Sequence, residues 1–186
     1  MNALSTNFFS RKELTMRNSL RAHFDKAVIE QREELILKYV ISLIKDYRTC
    51  LKVPYFLVYG ILDWSWCLRF VEGNEEYRGF RFYSGEALAA INRGEKKFTR
   101  DHIFPKKYLK KMLLSLSDPT PTQVREMLSE FGEICVITRE EDKKLRSAGL
   151  ASSMPDGWNP GDSLFSRYEK VGIKVVCNEQ QFCEPF

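Results

Sequence analysis

The sequence predicts an α+β protein with a long N-terminal helical region, a β-hairpin, and a strand–strand–helix core that carries a helical insertion between its two strands. Three observations carry that expectation. Residues 11–48 contain neither Pro nor Gly, and Phe24, Val28, Leu35 and Tyr39, then Val40, Leu43, Ile44 and Tyr47, recur at helical spacings, which is the pattern of one long amphipathic helix or of two in series. Around Gly73-Asn74-Glu75, Leu68 and Phe70 match Phe80 and Phe82 while Arg69 and Arg81 face away, the alternation of a hairpin. Two short β-prone runs, 98–104 and 133–138, flank helical segments. The second of them runs into Thr138-Arg-Glu-Glu141, a capping box that opens a helix.

Taken in order, the chain divides into an N-terminal helical region (1–52), a hairpin with a short helix (53–94), and the core with a C-terminal helix and strand (95–186). Residues 1–10 form a tail. Pro54 ends the first helical pattern, and 53–70 is the most apolar window. Asp63 and Arg69 interrupt that window and it is short for a bilayer, so it is core and not a membrane span. Ser84 caps a helix over 85–92 that Gly94 stops. A helix over 106–116 puts Leu109, Met112, Leu113 and Leu116 on one stripe and Lys106, Lys107, Lys110 and Lys111 on the other side. After the Asp118-Pro119 turn, a helix over 122–131 is capped by Thr120 or Thr122 and ends at Gly132. The strand 133–138 and the helix 139–147 follow. A Gly/Pro/Ser/Asn-rich loop then leads to a helix over 163–171, closed by Gly172, and a strand over 173–177.

With 186 residues, 44% hydrophobic content and 13 Phe, 8 Tyr and 3 Trp, the chain is one domain, or one domain with a helical extension, and has ample material for a core. The net charge is only +4, yet Arg93, Lys96, Lys97, Arg100, Lys106, Lys107, Lys110 and Lys111 crowd into 92–112 against Glu95 and Asp101. A basic field of that kind suits a phosphate-bearing partner. The five cysteines form no CxxC pair and no zinc spacing, as expected of free thiols in a reducing compartment. The N-terminus lacks the apolar core of a signal peptide. The expected location is the cytoplasm, with no membrane partner.

The chemistry concentrates at Asp101-His102. His23, the other of the two histidines, is expected on the first helix as a surface or packing side chain and not as a ligand. Neighbouring strand residues point to opposite sides unless the strand bends. Where both reach one oxygen, a carboxylate that holds a divalent cation and an imidazole that takes a proton from water suffice to hydrolyse a phosphodiester.

The run DHIFPKKYL resembles the DHI-x-P signature of the HNH (ββα-metal) endonucleases, and VITREEDKKL is similar to the second strand and metal-binding helix of that family. The resemblance covers roughly residues 96–148. It implies that Asp101 binds one divalent metal, magnesium or manganese, and that His102 is the general base. The family's helix supplies an asparagine or histidine as the other ligand, and this chain offers neither before Ser147. Asp142 is the first replacement and Glu141 the second, while the acidic residues 140–142 also suit a helix N-terminus simply as first-turn carboxylates. The family's central asparagine has no counterpart, and the segment between the strands is long.

Lys97, Arg100, Lys106, Lys107, Lys110 and Lys111 are the expected nucleic-acid contacts, for DNA before RNA. Arg167 and Tyr168 are expected as a surface arginine and a core tyrosine. The implied activity is metal-dependent endonucleolytic cleavage, in the phage or bacterial-defence setting where such stand-alone nucleases occur. The alternative is a catalytically inactive HNH-like module that binds nucleic acid or protein. The N-terminal helix is available to a protein partner or to a second copy of the chain.

Overall fold

The computed structural model describes residues 26–49, 77 and 79–177. The first arm of the expected hairpin, the apolar window 53–70 and His23 lie outside them. In chain order the described elements are α1 (Lys26–Thr49), β1 (Phe82–Ser84), α2 (Gly85–Asn92), β2 (Phe98–His102), α3 (Lys106–Ser115), α4 (Pro121–Phe131), β3 (Ile134–Thr138), α5 (Arg139–Ser147), α6 (Ser166–Lys170) and β4 (Val175–Cys177). The protein is α+β, with six helices among the described residues and one small four-stranded sheet in the order β2-β3-β1-β4. No helix of the described residues is long and apolar enough to cross a membrane.

Local signals set most of the helix ends. Ser84 Oγ accepts from the Ala87 N–H at 3.0 Å and so satisfies one of the orphan donors at the start of α2. Thr120, not Thr122, caps α4 in a capping box with Gln123, and Pro121 occupies the first turn, where its missing N–H costs nothing. At the other end of α4 a Cβ on Gly132 would stand 2.5 Å from the Leu128 carbonyl oxygen, so a side chain there would force the turn apart. Thr138 and Glu141 form the expected capping box of α5. Helix α6 begins later than expected, at Ser166, because 163–165 are spent in a turn closed by the Ser166 N–H to the Ser163 carbonyl.

The sheet is mixed. Strands β2 and β3 pair antiparallel from Phe98↔Thr138 to His102↔Ile134, as the two β-prone runs lead one to expect. Strand β1 lies parallel to β3 and antiparallel to β4. Both edges of β1 are therefore taken, and the expected second hairpin arm reduces to three residues that pair elsewhere. It follows that the expected units 53–94 and 95–186 share one sheet.

Alternation along the strands separates two faces. On one, Ile134 and Val136 pack with Tyr83, Phe98 and the Ala87, Ala90 and Ile91 side of α2. On the other, Cys135 and Ile137 pack with Leu145 of α5 and Tyr168 of α6. A third cluster joins the helices: Leu37, Val40, Leu43 and Ile44 of α1 meet Leu109 and Leu113 of α3, Val124 and Leu128 of α4, and Phe104. Burying each such side chain contributes about 1.5–3 kcal/mol.

An ion pair between Arg125 and Glu33 also ties α4 to α1. The buried seam of α1 runs through 37, 40 and 44, so Leu35 and Tyr39 of the expected stripe stay more than half exposed. Lys110 departs from the expectation as well: it is buried, while Lys107 and Lys111 are exposed.

Candidate metal and nucleic-acid site

The register decides which side each member of the Asp-His pair takes. Asp101 sits opposite Cys135 and His102 opposite Ile134, and those two neighbours belong to different faces of the sheet. Asp101 therefore faces α5 and α6, whereas His102 goes to the α2 side, half-buried and with its Nε2 shielded from solvent. Strand geometry persists through His102, so no bend brings the two side chains to one point. The expected carboxylate–imidazole partnership is not assembled in this arrangement.

Asp101 instead meets residues from α6. Its Oδ2 accepts from the Tyr168 hydroxyl at 2.7 Å and lies 3.3 Å from Arg167 Nη1, while its Oδ1 is at 3.5 Å from Arg167 Nη2. The expected surface arginine is wholly buried. Its planar fork spreads five N–H donors, a geometry that lysine cannot copy. Nε donates to the Leu150 carbonyl at 2.7 Å, Nη1 to those of His102 at 2.6 Å and Ile103 at 3.3 Å, and Nη2 to that of Ala151 at 3.1 Å. The end of β2 is thereby stapled to the loop that follows α5. Tyr168 is a core tyrosine, as expected.

Burial pushes the Asp101 carboxyl above the usual carboxylate range. The Arg167 charge and the Tyr168 and Arg167 hydrogen bonds pull it back only in part, and Asp142 pushes it further up. Desolvation also drives the Cys135 thiol and the Tyr168 phenol well up, with Asp101 adding to both. Cys135 is thus a protonated core thiol. Asp142 comes from the first turn of α5, is half-buried, and accepts from Arg146 Nε at 2.9 Å.

Glu141 has a different task. Its Oε2 accepts from the Ser84 hydroxyl at 2.6 Å, the Thr138 N–H at 2.8 Å and the Thr138 hydroxyl at 3.0 Å. The second-choice ligand of the sequence is committed to the starts of two helices, because β1 and β3 run parallel and α2 and α5 begin side by side at their ends.

Asp101 is already engaged by Arg167 and Tyr168 and Asp142 by Arg146, and Asp142 adds a further, smaller push to the Asp101 carboxyl. Among the described residues no group of three or more His, Cys, Asp or Glu is arranged to hold a metal, so no all-protein cage forms. A pair of carboxylates with water completing the shell is the mode magnesium favours.

Of the basic residues, Lys97, Lys107 and Lys111 are exposed, Lys106 and Arg100 are half-buried, and Lys110 is buried. The Lys107 ammonium donates to Ser153 Oγ at 3.2 Å and stands 4.9 Å from the centre of the Tyr108 ring.

No family model, no curated protein and no solved structure matches the chain. Its chemistry rests on the residues themselves. The hydrogen bond of Ser84 to Glu141, the burial of Arg167 and the hydrogen bond of Tyr168 to Asp101 are what sequence reasoning missed. The apolar company of Arg167, with Leu164, Phe165 and Val171 around it, was the available sign that this arginine is not solvated.

Proposed function

We propose that the chain is a divalent-metal-dependent endonuclease of the HNH type that acts on DNA in the cytoplasm. One observation carries the reading. An antiparallel strand pair runs directly into a helix that packs on both strands, the order that the resemblance requires, and the first turn of that helix carries Asp142, whose charge is among those that act on Asp101. The basic helix α3 follows the same strand.

Asp101 and Asp142 would hold magnesium or manganese, which supplies Lewis-acid polarisation of the phosphodiester when bound. Asp101 enters as a carboxylate oriented by Tyr168, and Asp142 replaces the neutral ligand of the family. Lys97, Arg100, Lys106, Lys107 and Lys111 bind flanking phosphates, contacts that give affinity and salt dependence but no sequence preference. Lys110 leaves that set because it is buried, and Glu141 leaves the ligand set because it is engaged.

The second reading, binding of nucleic acid without cleavage, rests on His102. A base on the far face from Asp101 does not reach a water held beside that carboxylate. One experiment separates the two readings. Supercoiled plasmid is incubated with the protein and magnesium or manganese, beside a chelator control and the Asp101→Asn and Asp142→Asn variants. Nicking that needs metal and both aspartates supports the endonuclease. Salt-sensitive plasmid binding without any nicking replaces it with the second reading.

A further inference from the structure

Among the described residues, the large apolar side chains left exposed are Leu35, Tyr39 and Tyr47 on α1 and one other, Tyr108. Tyr108 stands in the first turn of α3, between exposed Lys107 and buried Leu109. Its ring is held from beneath. Buried Phe104 meets it at a centroid distance of 5.8 Å and also contacts Phe131 at 4.8 Å and Trp158 at 5.6 Å. Trp158 is fixed in turn by its Nε1, which donates to the Ser163 carbonyl at 3.1 Å.

The surroundings of the exposed ring are cationic. Lys107 Nζ stands 4.9 Å from its centre, within the range of a cation–π contact. Lys111, one turn along α3, is exposed beside it. The first turn of α3 has no acidic residue and no side-chain cap, so Lys106 and Lys107 oppose the helix dipole there, a conflict that a phosphate beside them removes. The centre of a protein-binding patch is depleted of charge, whereas lysines flank this ring on both sides and favour a polyanion.

We propose that Tyr108 is a stacking platform for an unpaired base, with Lys107 and Lys111 on the neighbouring phosphates, so that this face of α3 prefers single-stranded DNA to duplex. The inference rests on the nucleic-acid contacts proposed above, names the form of DNA they take, and needs no metal. Single strands are bound by cations that follow the backbone and by aromatic rings on which bases stack. As Lys107 turns to a phosphate, the base takes the ring face that the ammonium leaves. A duplex gives no base to the ring, because its bases stack on one another.

The test is binding of the full chain, in chelator, to labelled DNA read by fluorescence anisotropy. The probes are a single strand of mixed sequence, its duplex, and a strand of the same length whose sugars carry no bases. Wild type, Tyr108→Leu and Tyr108→Trp are compared, each shown to be folded by a cooperative thermal melt. Leucine keeps an apolar contact to Phe104 and removes the π-face, and tryptophan restores one. The wild type is expected to bind the intact single strand more tightly than the duplex or the abasic strand. Tyr108→Leu binds the intact strand about 5–150-fold more weakly and the abasic strand as the wild type does, while Tyr108→Trp retains the wild-type preference. Unchanged single-strand affinity in Tyr108→Leu, or an equal loss on the intact and abasic strands, overturns the inference and leaves the nucleic-acid reading standing. So does a wild type that binds the duplex or the abasic strand as tightly as the intact strand, a comparison that decides even where Tyr108→Leu does not fold. A wild type that binds none of the probes at low salt removes both.

Discussion

Glu141 separates a structural carboxylate from a metal ligand, and its replacement has a calculable cost. Glu141→Ala removes the one oxygen that accepts from the Ser84 hydroxyl, the Thr138 N–H and the Thr138 hydroxyl. Loss of the reciprocal half of a capping box costs about 0.5–2 kcal/mol, and leaving the buried Ser84 hydroxyl without its acceptor costs about 1–3 kcal/mol. The sum is about 1.5–5 kcal/mol, a large part of the stability of a domain this size. Glu141→Gln keeps an amide oxygen in place but gives up the charge. A neutral acceptor is roughly half as strong, so its cost is about 1 kcal/mol.

Urea unfolding followed by circular dichroism reads both variants, with the slope unchanged because the surface exposed on unfolding is the same. Manganese titration of the folded variants completes the assay, and both are expected to bind as the wild type does. An alanine variant that loses less than about 1 kcal/mol would refute the double-cap argument. A glutamine variant of normal stability with weakened manganese binding would return Glu141 to the ligand set.

The remaining predictions address the other charged groups. Replacing exposed Lys97, Lys107 and Lys111 by glutamine weakens DNA binding and lowers the log–log salt slope by about 0.9 for each phosphate that is no longer neutralised; an unchanged slope in a filter-binding series means that this face is only solvated. Asp142→Ala abolishes metal-dependent nicking yet costs little stability, about 1–2 kcal/mol, since it removes an exposed-partner ion pair and one first-turn carboxylate. A larger loss in chemical denaturation makes Asp142 structural. Arg167→Met leaves Asp101 with only the Tyr168 hydroxyl, removes its charge partner and takes a donor from four carbonyls, and costs about 3–5 kcal/mol; a melting temperature equal to that of the wild type contradicts the staple.

What the sequence disclosed well was local. Ser84, Thr120 with Gln123, and Thr138 with Glu141 are caps whose partners lie three residues away, so spacing alone reveals them. The pairing of β2 with β3 was legible for a related reason: both runs are short and β-prone, the second is apolar on both faces, and it flows directly into a capped helix. Contacts remote in sequence were not legible. Nothing in Phe82-Tyr-Ser84 announces that it lies parallel to Cys135 and Val136, because any short aromatic run alternates in the same way. Lys110 is expected as a nucleic-acid contact and Arg167 as a surface arginine, since charge normally implies exposure. Their burial depends on which acceptors distant loops bring, and the carbonyls of 102, 103, 150 and 151 that receive Arg167 come from two separate stretches.

The division of work between Glu141 and Asp142 follows from the same geometry. Parallel β1 and β3 each lead straight into a helix, so two helix N-termini with orphan N–H groups arise together at one edge of the sheet. A buried carboxylate there is needed for the fold, and Glu141 has the reach to serve Ser84 and Thr138 at once. Leu145, one turn further on, is buried against Cys135 and Ile137 and fixes the rotation of α5 about its axis. With that rotation set and a helical step of 3.6 residues per turn, the next side chain cannot share Glu141's direction. Asp142 leaves the cap and comes within electrostatic range of Asp101. Two adjacent acidic residues are thus not interchangeable: the longer one closes the helix ends, and the shorter one pairs with Arg146 and adds its charge to the field at Asp101. An Asp142→Glu exchange alters the second task alone, and so weakens manganese binding while leaving the urea midpoint in place.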